Sequence, residues 1–225
     1  STGTGNANNA ITNDGNSNLQ PDMIWFKSRV GGHSNYIVDS SRGRSKGLYP
    51  DGDNQEVTSS STTTDCQSFD TNGFTVGTPE DANSTNSNGS STKLAFQWKA
   101  NGGTTSTNSD GDINTTVQVN DTAGFSIVLS SNGNTTAREL GHGLSAAPAM
   151  VITRARNRTE NWRVGVKHYA NHDGSYNLDT DAAFNNTSTL HTGTDSDTFG
   201  VGTDYSVNGD YNYVHYIWRE IKGYS

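Results

Sequence analysis

The sequence predicts an all-β protein built as two tandem jelly-roll-like antiparallel β-sandwich modules, an internal duplication. Three observations carry that prediction: apolar residues that alternate in short runs, a surplus of turn-forming residues, and a pattern that occurs twice. Hydrophobic residues make up 29% of the 225 residues and charged ones 17%, while Gly, Asn, Thr, Ser and Asp fill much of the rest. That mixture suits short strands joined by many corners, because Gly and Asn tolerate positive φ and Asp, Ser and Thr hydrogen-bond their own backbone. Disordered chains share the polarity but lack regularly spaced aromatic and β-branched clusters. No window shows an apolar stripe of period 3.6 with caps, so very little helix is expected.

The duplication is read from order and spacing. Gln20-Pro21-Asp22-Met23-Ile24-Trp25-Phe26-Lys27-Ser28-Arg29 is echoed by Ala147-Pro148-Ala149-Met150-Val151-Ile152-Thr153-Arg154-Ala155-Arg156. Phe74-Thr75-Val76-Gly77 answers to Phe199-Gly200-Val201-Gly202, and Leu94 to Lys99 answers to Val214 to Arg219. The offset runs from 127 residues (Pro21 to Pro148) through 125 (Gly77 to Gly202) to 120 (Trp98 to Trp218). Copies whose loops alone have changed length behave this way. The parse is a first module over 1–103, a linker over 104–111 without a large apolar residue, and a second module over 112–225. One composite sandwich built from both copies is the alternative.

The elements follow in chain order. Met23 to Phe26 and its echo Met150 to Ile152 are short continuous apolar runs, as in strands covered on both faces. Tyr36 to Val38, Phe125 to Leu129, Trp162 to Val166 and Tyr176 to Leu178 are further strands. Asn72-Gly73, between Phe69-Asp70-Thr71 and Phe74-Thr75-Val76, predicts a type I′ hairpin, and Asn132-Gly133 a second such turn. In the two closing strands Leu94, Phe96 and Trp98 share one face, as do Val214, Tyr216 and Trp218, with His215 and Arg219 opposite. Those six residues are the predicted core. The alternating strand Phe125 to Leu129 has no counterpart in the first copy, because the offset places it at or before Ser1. A sandwich without that strand exposes unpaired backbone and a slot in its core. Either the chain is the processed end of a longer protein or a neighbouring subunit donates the strand.

Charge and motifs narrow the function classes. A net charge of −8 argues against nucleic acid as partner, and no apolar run is long enough for a membrane span. The lone Cys66 excludes an internal disulfide framework and a multi-cysteine metal or haem site, and reads as a small buried side chain. His168 and His172 stand four apart but sit where a strand runs into a turn. Asp51 to Glu56 and Asp110-Gly111-Asp112 resemble pieces of calcium loops without the remaining spacing, so no cofactor is expected, with calcium as the alternative. His142, between Gly141 and Gly143, lacks a nucleophile elbow and reads as a turn residue before the Pro148 strand. The acids are scattered through turns, so no catalytic residue and no enzyme activity are expected.

Binding residues come from two sets. The basic run Arg154, Arg156, Arg158, Arg163 and Lys167 offers groups that grip anionic glycans or acidic residues of a neighbouring subunit, or forms a solvated strand face. Tyr169, Tyr205, Tyr211 and Tyr213, in polar loops, offer rings for stacking on sugars or for rim packing. Arg154, Arg156, Arg158, Tyr169, Tyr205 and Tyr211 are the predicted ligand residues.

Five segments carry a family resemblance: Gln20 to Lys27, Phe69 to Gly77, Ala123 to Val128, Gly141 to Pro148, and the ending Glu220-Ile221-Lys222-Gly223-Tyr224-Ser225. Together they resemble a repeated domain of tailed-phage structural proteins common in marine phages, over almost the whole chain. The resemblance implies a concanavalin-type jelly roll on the virion surface, in a tail fibre that contacts host surface glycans. It also implies other virion proteins and further copies of the chain as partners, a trimer by default, and brings no catalytic residues. The alternative is a capsid decoration protein or an extracellular filament subunit assembled by strand exchange.

Overall fold

The computed structural model describes residues 8–29, 34–58, 66–77, 92–167 and 174–223. Among them the protein is all-β, with every named strand pairing antiparallel and no helix. Contacts divide the chain into two units, Ser1–Asp51 with Glu56–Gly103, and Gly52–Gln55 with Thr104–Ser225.

The first unit contains β1 (Asn9–Thr12), β2 (Met23–Ser28), β3 (Tyr36–Asp39), β4 (Lys46–Gly47), β5 (Val57–Thr58), β6 (Cys66–Asp70), β7 (Gly73–Val76) and β8 (Lys93–Trp98). Its sheets are ordered β3-β2-β8, β1-β7-β6 and β4-β5. Ile24, Phe26, Tyr36 and Val38 from the first of these pack with Cys66, Phe74 and Val76 from the second. Phe26 meets Phe74 edge to face, with centroids 5.4 Å apart. The buried Asp22 carboxylate closes the end of the unit, accepting the N–H groups of Ala100, Gly102 and Gly103 at 2.7, 3.0 and 2.8 Å and the Ser40 hydroxyl at 2.8 Å.

The second unit contains β9 (Ser106–Asn108), β10 (Thr115–Asn120), β11 (Phe125–Ser131), β12 (Arg138–Gly141), β13 (Pro148–Ala155), β14 (Arg163–Val166), β15 (Tyr176–Asn177), β16 (His191–Thr194), β17 (Thr198–Val201) and β18 (Asn212–Arg219). Seven of them form one sheet, β15-β14-β13-β18-β11-β10-β9, and three another, β12-β17-β16. Val117, Val128, Val151 and Ile217 from the large sheet pack with Leu140, Phe199 and Val201 from the small one.

The registers of the two units correspond. Trp98 is the Cα partner of Met23, and Trp218 that of Met150. β7 lies between β1 and β6 as β17 lies between β12 and β16, and β6 and β16 each carry a register shift against their partner. Cys66, fully buried, faces Val76 where His191 faces Val201.

Several expectations are corrected. Leu94 and Phe96 are 44% and 50% exposed, and Trp98 and Trp218 are half-buried; of the predicted core only Val214 and Tyr216 are sealed. The alternation in β8 is real but its faces are reversed: Ala95 packs on the core and Gln97 forms an amide pair with Asn13 at 2.8 and 3.1 Å. Phe26, the partner of Ala95 across the ladder, already supplies the bulk there. The segment 104–111 is no free linker, since β9 lies in it and pairs with β10. At the hairpin Asp70 pairs with Gly73, so Thr71-Asn72 forms the loop. Only Gly73 has positive φ (+120°), which excludes type I′. Asn132-Gly133 leads from one sheet to the other and joins no hairpin.

Candidate functional site

Three of the six predicted ligand residues meet at one end of the second unit. β13 and β18 are neighbours, and the loops at this end are stapled together: Arg156 N–H donates to Asn212 O at 2.7 Å and Asn212 N–H to Asn157 Oδ1 at 2.9 Å. The 204–208 turn is wound by the Asp204 carbonyl, which accepts the N–H groups of Val207 and Asn208, while Asp204 Oδ1 accepts Ser206 N–H at 2.8 Å. Asn208 Nδ2 donates to Gly202 O and Thr136 O, both at 2.7 Å. The buried Tyr213 hydroxyl donates to Tyr205 O at 2.8 Å, which fixes the Tyr205 backbone and leaves its ring half exposed. Burial raises the Tyr213 hydroxyl pKa, so it stays a neutral donor.

Arg158 enters between the rings. Its guanidinium carbon lies 4.9 Å from the centroids of both Tyr205 and Tyr211. Nη1 donates to the Tyr211 hydroxyl at 2.5 Å and Nε to Glu160 Oε1 at 2.6 Å, and these bonds raise its pKa further. The two rings stand 6.2 Å apart, edge to face. Gly209 lets them close, since a Cβ there would come 3.0 Å from Tyr205 Cδ1 and 3.1 Å from Tyr211 Cδ2. The result is a pre-ordered platform of one open tyrosine face and a charge already balanced by Glu160. Pre-ordering lowers the entropy lost when a ligand docks.

The other predicted residues lie elsewhere. Arg154 is fully buried, a correction to its reading as a ligand residue. Its guanidinium donates to the carbonyls of Glu160, Asp53 and Asn54 and lies 5.7 Å over Trp162. Burial lowers its pKa to about 10, and its role is to hold the Gly52–Gln55 segment in the second unit. Arg156 is half-buried and Tyr213 fully buried, while Arg163 donates to Ser206 Oγ and Asn177 Oδ1. Tyr169, His168 and His172 lie outside the described residues.

In the candidate calcium loops Asp51 Oδ2 accepts Asn35 N–H at 2.9 Å, Asp110 Oδ2 accepts Asn108 Nδ2–H at 2.7 Å and Asp112 Oδ2 accepts Glu139 N–H at 2.8 Å. No group of three or more His, Cys, Asp or Glu is placed for a metal among the described residues. His142 is a buried turn residue whose Nδ1 accepts Leu144 N–H at 3.0 Å. That bond requires a neutral imidazole with its proton on Nε2.

A second polar constellation escaped the sequence reading. Ser130 Oγ, His215, Thr153 Oγ1, His191 and Ser175 Oγ form a buried chain with links of 3.0, 2.9, 2.8 and 2.7 Å. It ties β11, β18 and β13 of the large sheet to β16 of the small one. Thr153 has one proton, so it donates to one imidazole and accepts from the other. Burial, with His191 adding to it, lowers the His215 pKa to about 3.

The described residues define an all-β protein with a surface cluster of Arg158, Tyr205 and Tyr211 on its second unit. The chain belongs to the family described as a domain of unknown function, DUF7483, whose model matches residues 1–225 and so spans both units. No curated protein and no solved structure matches it.

Proposed function

We propose that this chain is a non-enzymatic surface protein of a tailed-phage virion, a tail-fibre component made of two duplicated jelly-roll modules that contacts host surface glycans. The repeated segments that resemble phage structural domains support the virion reading, and the matching registers of the two units support the duplication. The observation that carries the binding role is Arg158, 4.9 Å from the rings of both Tyr205 and Tyr211. A pyranose has an apolar C–H face and a polar rim. The open face of Tyr205 suits the first, and the Arg158–Glu160 pair beside it suits the second. Since Glu160 balances Arg158 and Arg154 is buried, the class of ligand is a neutral saccharide and not an anionic one. One such contact is weak, and several copies of the chain on one particle, three in a trimer, supply strength through avidity. A glycan array probed with multivalently displayed protein tests this: binding to neutral glycans that Tyr205→Ala removes is expected, and binding only to anionic glycans, or none, contradicts it.

A second reading, a capsid decoration protein or filament subunit, draws its support from β8, where Leu94 and Phe96 are exposed. Binding to empty capsids without host affinity, or spontaneous polymerisation, favours that reading.

A further inference from the structure

We propose that the buried chain Ser130–His215–Thr153–His191–Ser175 is a one-proton latch between the two sheets of the second unit. Its two imidazoles share one tautomer at all times, and the chain stays whole with one added proton but not with two. The inference stands apart from the saccharide reading, since it concerns the core and not the platform.

The geometry fixes the order of the links. Thr153 Oγ1 lies 2.9 Å from His215 Nδ1 and 2.8 Å from His191 Nε2. At the outer ends Ser130 Oγ lies 3.0 Å from His215 Nε2, and Ser175 Oγ lies 2.7 Å from His191 Nδ1. All five residues are buried, so the links are not shared with bulk water. The chain runs from β11 through β18 and β13 of the large sheet to β16 of the small one, and ends one residue before β15.

Proton counting does the rest. The Thr153 hydroxyl carries one proton, so it donates to one ring and accepts from the other. If it donates to His191 Nε2, that ring holds its proton on Nδ1, and His215 must present Nδ1–H to the hydroxyl. If it donates to His215 Nδ1, both rings instead carry the proton on Nε2. A mixed pair leaves Thr153 facing two bare nitrogens or two N–H groups, and in either case one buried group loses its partner. The hydrogen bonds therefore reverse together, as one cooperative unit.

One imidazolium, at either ring, keeps every link. The charged ring donates from both nitrogens, and Thr153 passes its own proton to the neutral ring. Two imidazoliums aim two N–H groups at Thr153, whose proton then has no acceptor in the chain, and they set like charges one hydroxyl apart. The surroundings oppose the second charge as well. Tyr213 stacks on His215 at 6.2 Å, Phe199 meets it edge to face at 4.9 Å, and Arg163, the Cα partner of Thr153 on β14, is itself a cation. Burial and His191 both disfavour charge on His215. The first proton is thus absorbed with the sheets still tied, and the second breaks the tie.

Ring ¹⁵N NMR of the labelled 225-residue chain tests this. At pH 7.5 equal Nδ1–H fractions are expected in His191 and His215, and one ring held as Nδ1–H with the other as Nε2–H would overturn the proposal. On acidification of the folded chain, one ring should become imidazolium while the other stays neutral; a folded chain with both rings charged would overturn it. Thr153→Ser keeps the hydroxyl and should keep the fractions equal. In Ser175→Ala, which disturbs one end of the chain, any change in the His191 fraction should appear equally in His215, three links away. A change confined to His191 would show that the two rings are not coupled.

Discussion

Thr153 shows how much one hydroxyl can hold. It links His215 Nδ1 to His191 Nε2 in the chain that ties the two sheets of the second unit together. Thr153→Val preserves shape but leaves two buried imidazole nitrogens without that partner, at about 1–3 kcal/mol each. A stability loss of about 2–5 kcal/mol is expected in urea unfolding at pH 7. The same chain makes stability depend on acid. His215 titrates at about 3 when folded against an ordinary 6.5, so on acidification the unfolded chain takes up the proton first. Stability is therefore whole above pH 6.5 and declines from there toward pH 3, with a slope approaching about 1.4 kcal/mol per pH unit for one proton. His142, whose pKa burial also lowers, adds in the same direction. Unfolding midpoints at pH 7.5, 6 and 4.5 check the sign, and a midpoint that rises on acidification contradicts it.

At the scale of elements, turns and strands differed in how openly the sequence spoke. Gly73 adopts φ +120°, and a Cβ there would collide with the Ile11 carbonyl oxygen, whereas Gly133, at φ +74°, has open space around it. Gly73→Ala should cost at least about 2 kcal/mol and Gly133→Ala about 1 kcal/mol, the latter from conformation alone. Comparing their thermal midpoints measures the difference. The dipeptide Asn72-Gly73 announced a corner, but the turn type depended on Asp70 pairing with Gly73, a tertiary choice. In β8 the two-residue period was legible while its sign was not, because Leu94, Phe96 and Trp98 outweigh Ala95 and Gln97 in apolar bulk. Which face turns inward is decided by Phe26 and Phe74, which come from elsewhere in the chain. His215, placed on the face opposite the aromatic residues, was given no buried role for a related reason. A histidine opposite aromatic residues reads as the wet face of a strand, but here both faces of β18 are covered. The platform lay between these cases. Arg158, Tyr205 and Tyr211 were each readable as ligand residues, but Arg158 and Tyr211 stand 53 residues apart and only the β13–β18 ladder brings their loops together. Arg154 has the same chemistry as Arg158 and lies inside because its neighbours in space, three carbonyls and Trp162, are invisible in its local sequence.

For the whole molecule, the two units differ in what they expose. The second places β18 between β13 and β11 and carries the tyrosine platform; in the first, among the described residues, β8 pairs with β2 and leaves Leu94 and Phe96 exposed. One family model spans both. The proposed function asks only modest affinity of each site, because display in many copies would supply strength by number. That account depends on the platform being where ligand docks. Isothermal titration of a neutral host-surface oligosaccharide into wild-type protein and Tyr205→Ala tests it most directly. Saturable binding that weakens at least tenfold in Tyr205→Ala, with an unchanged thermal midpoint, is predicted; equal affinity in the two proteins would contradict it.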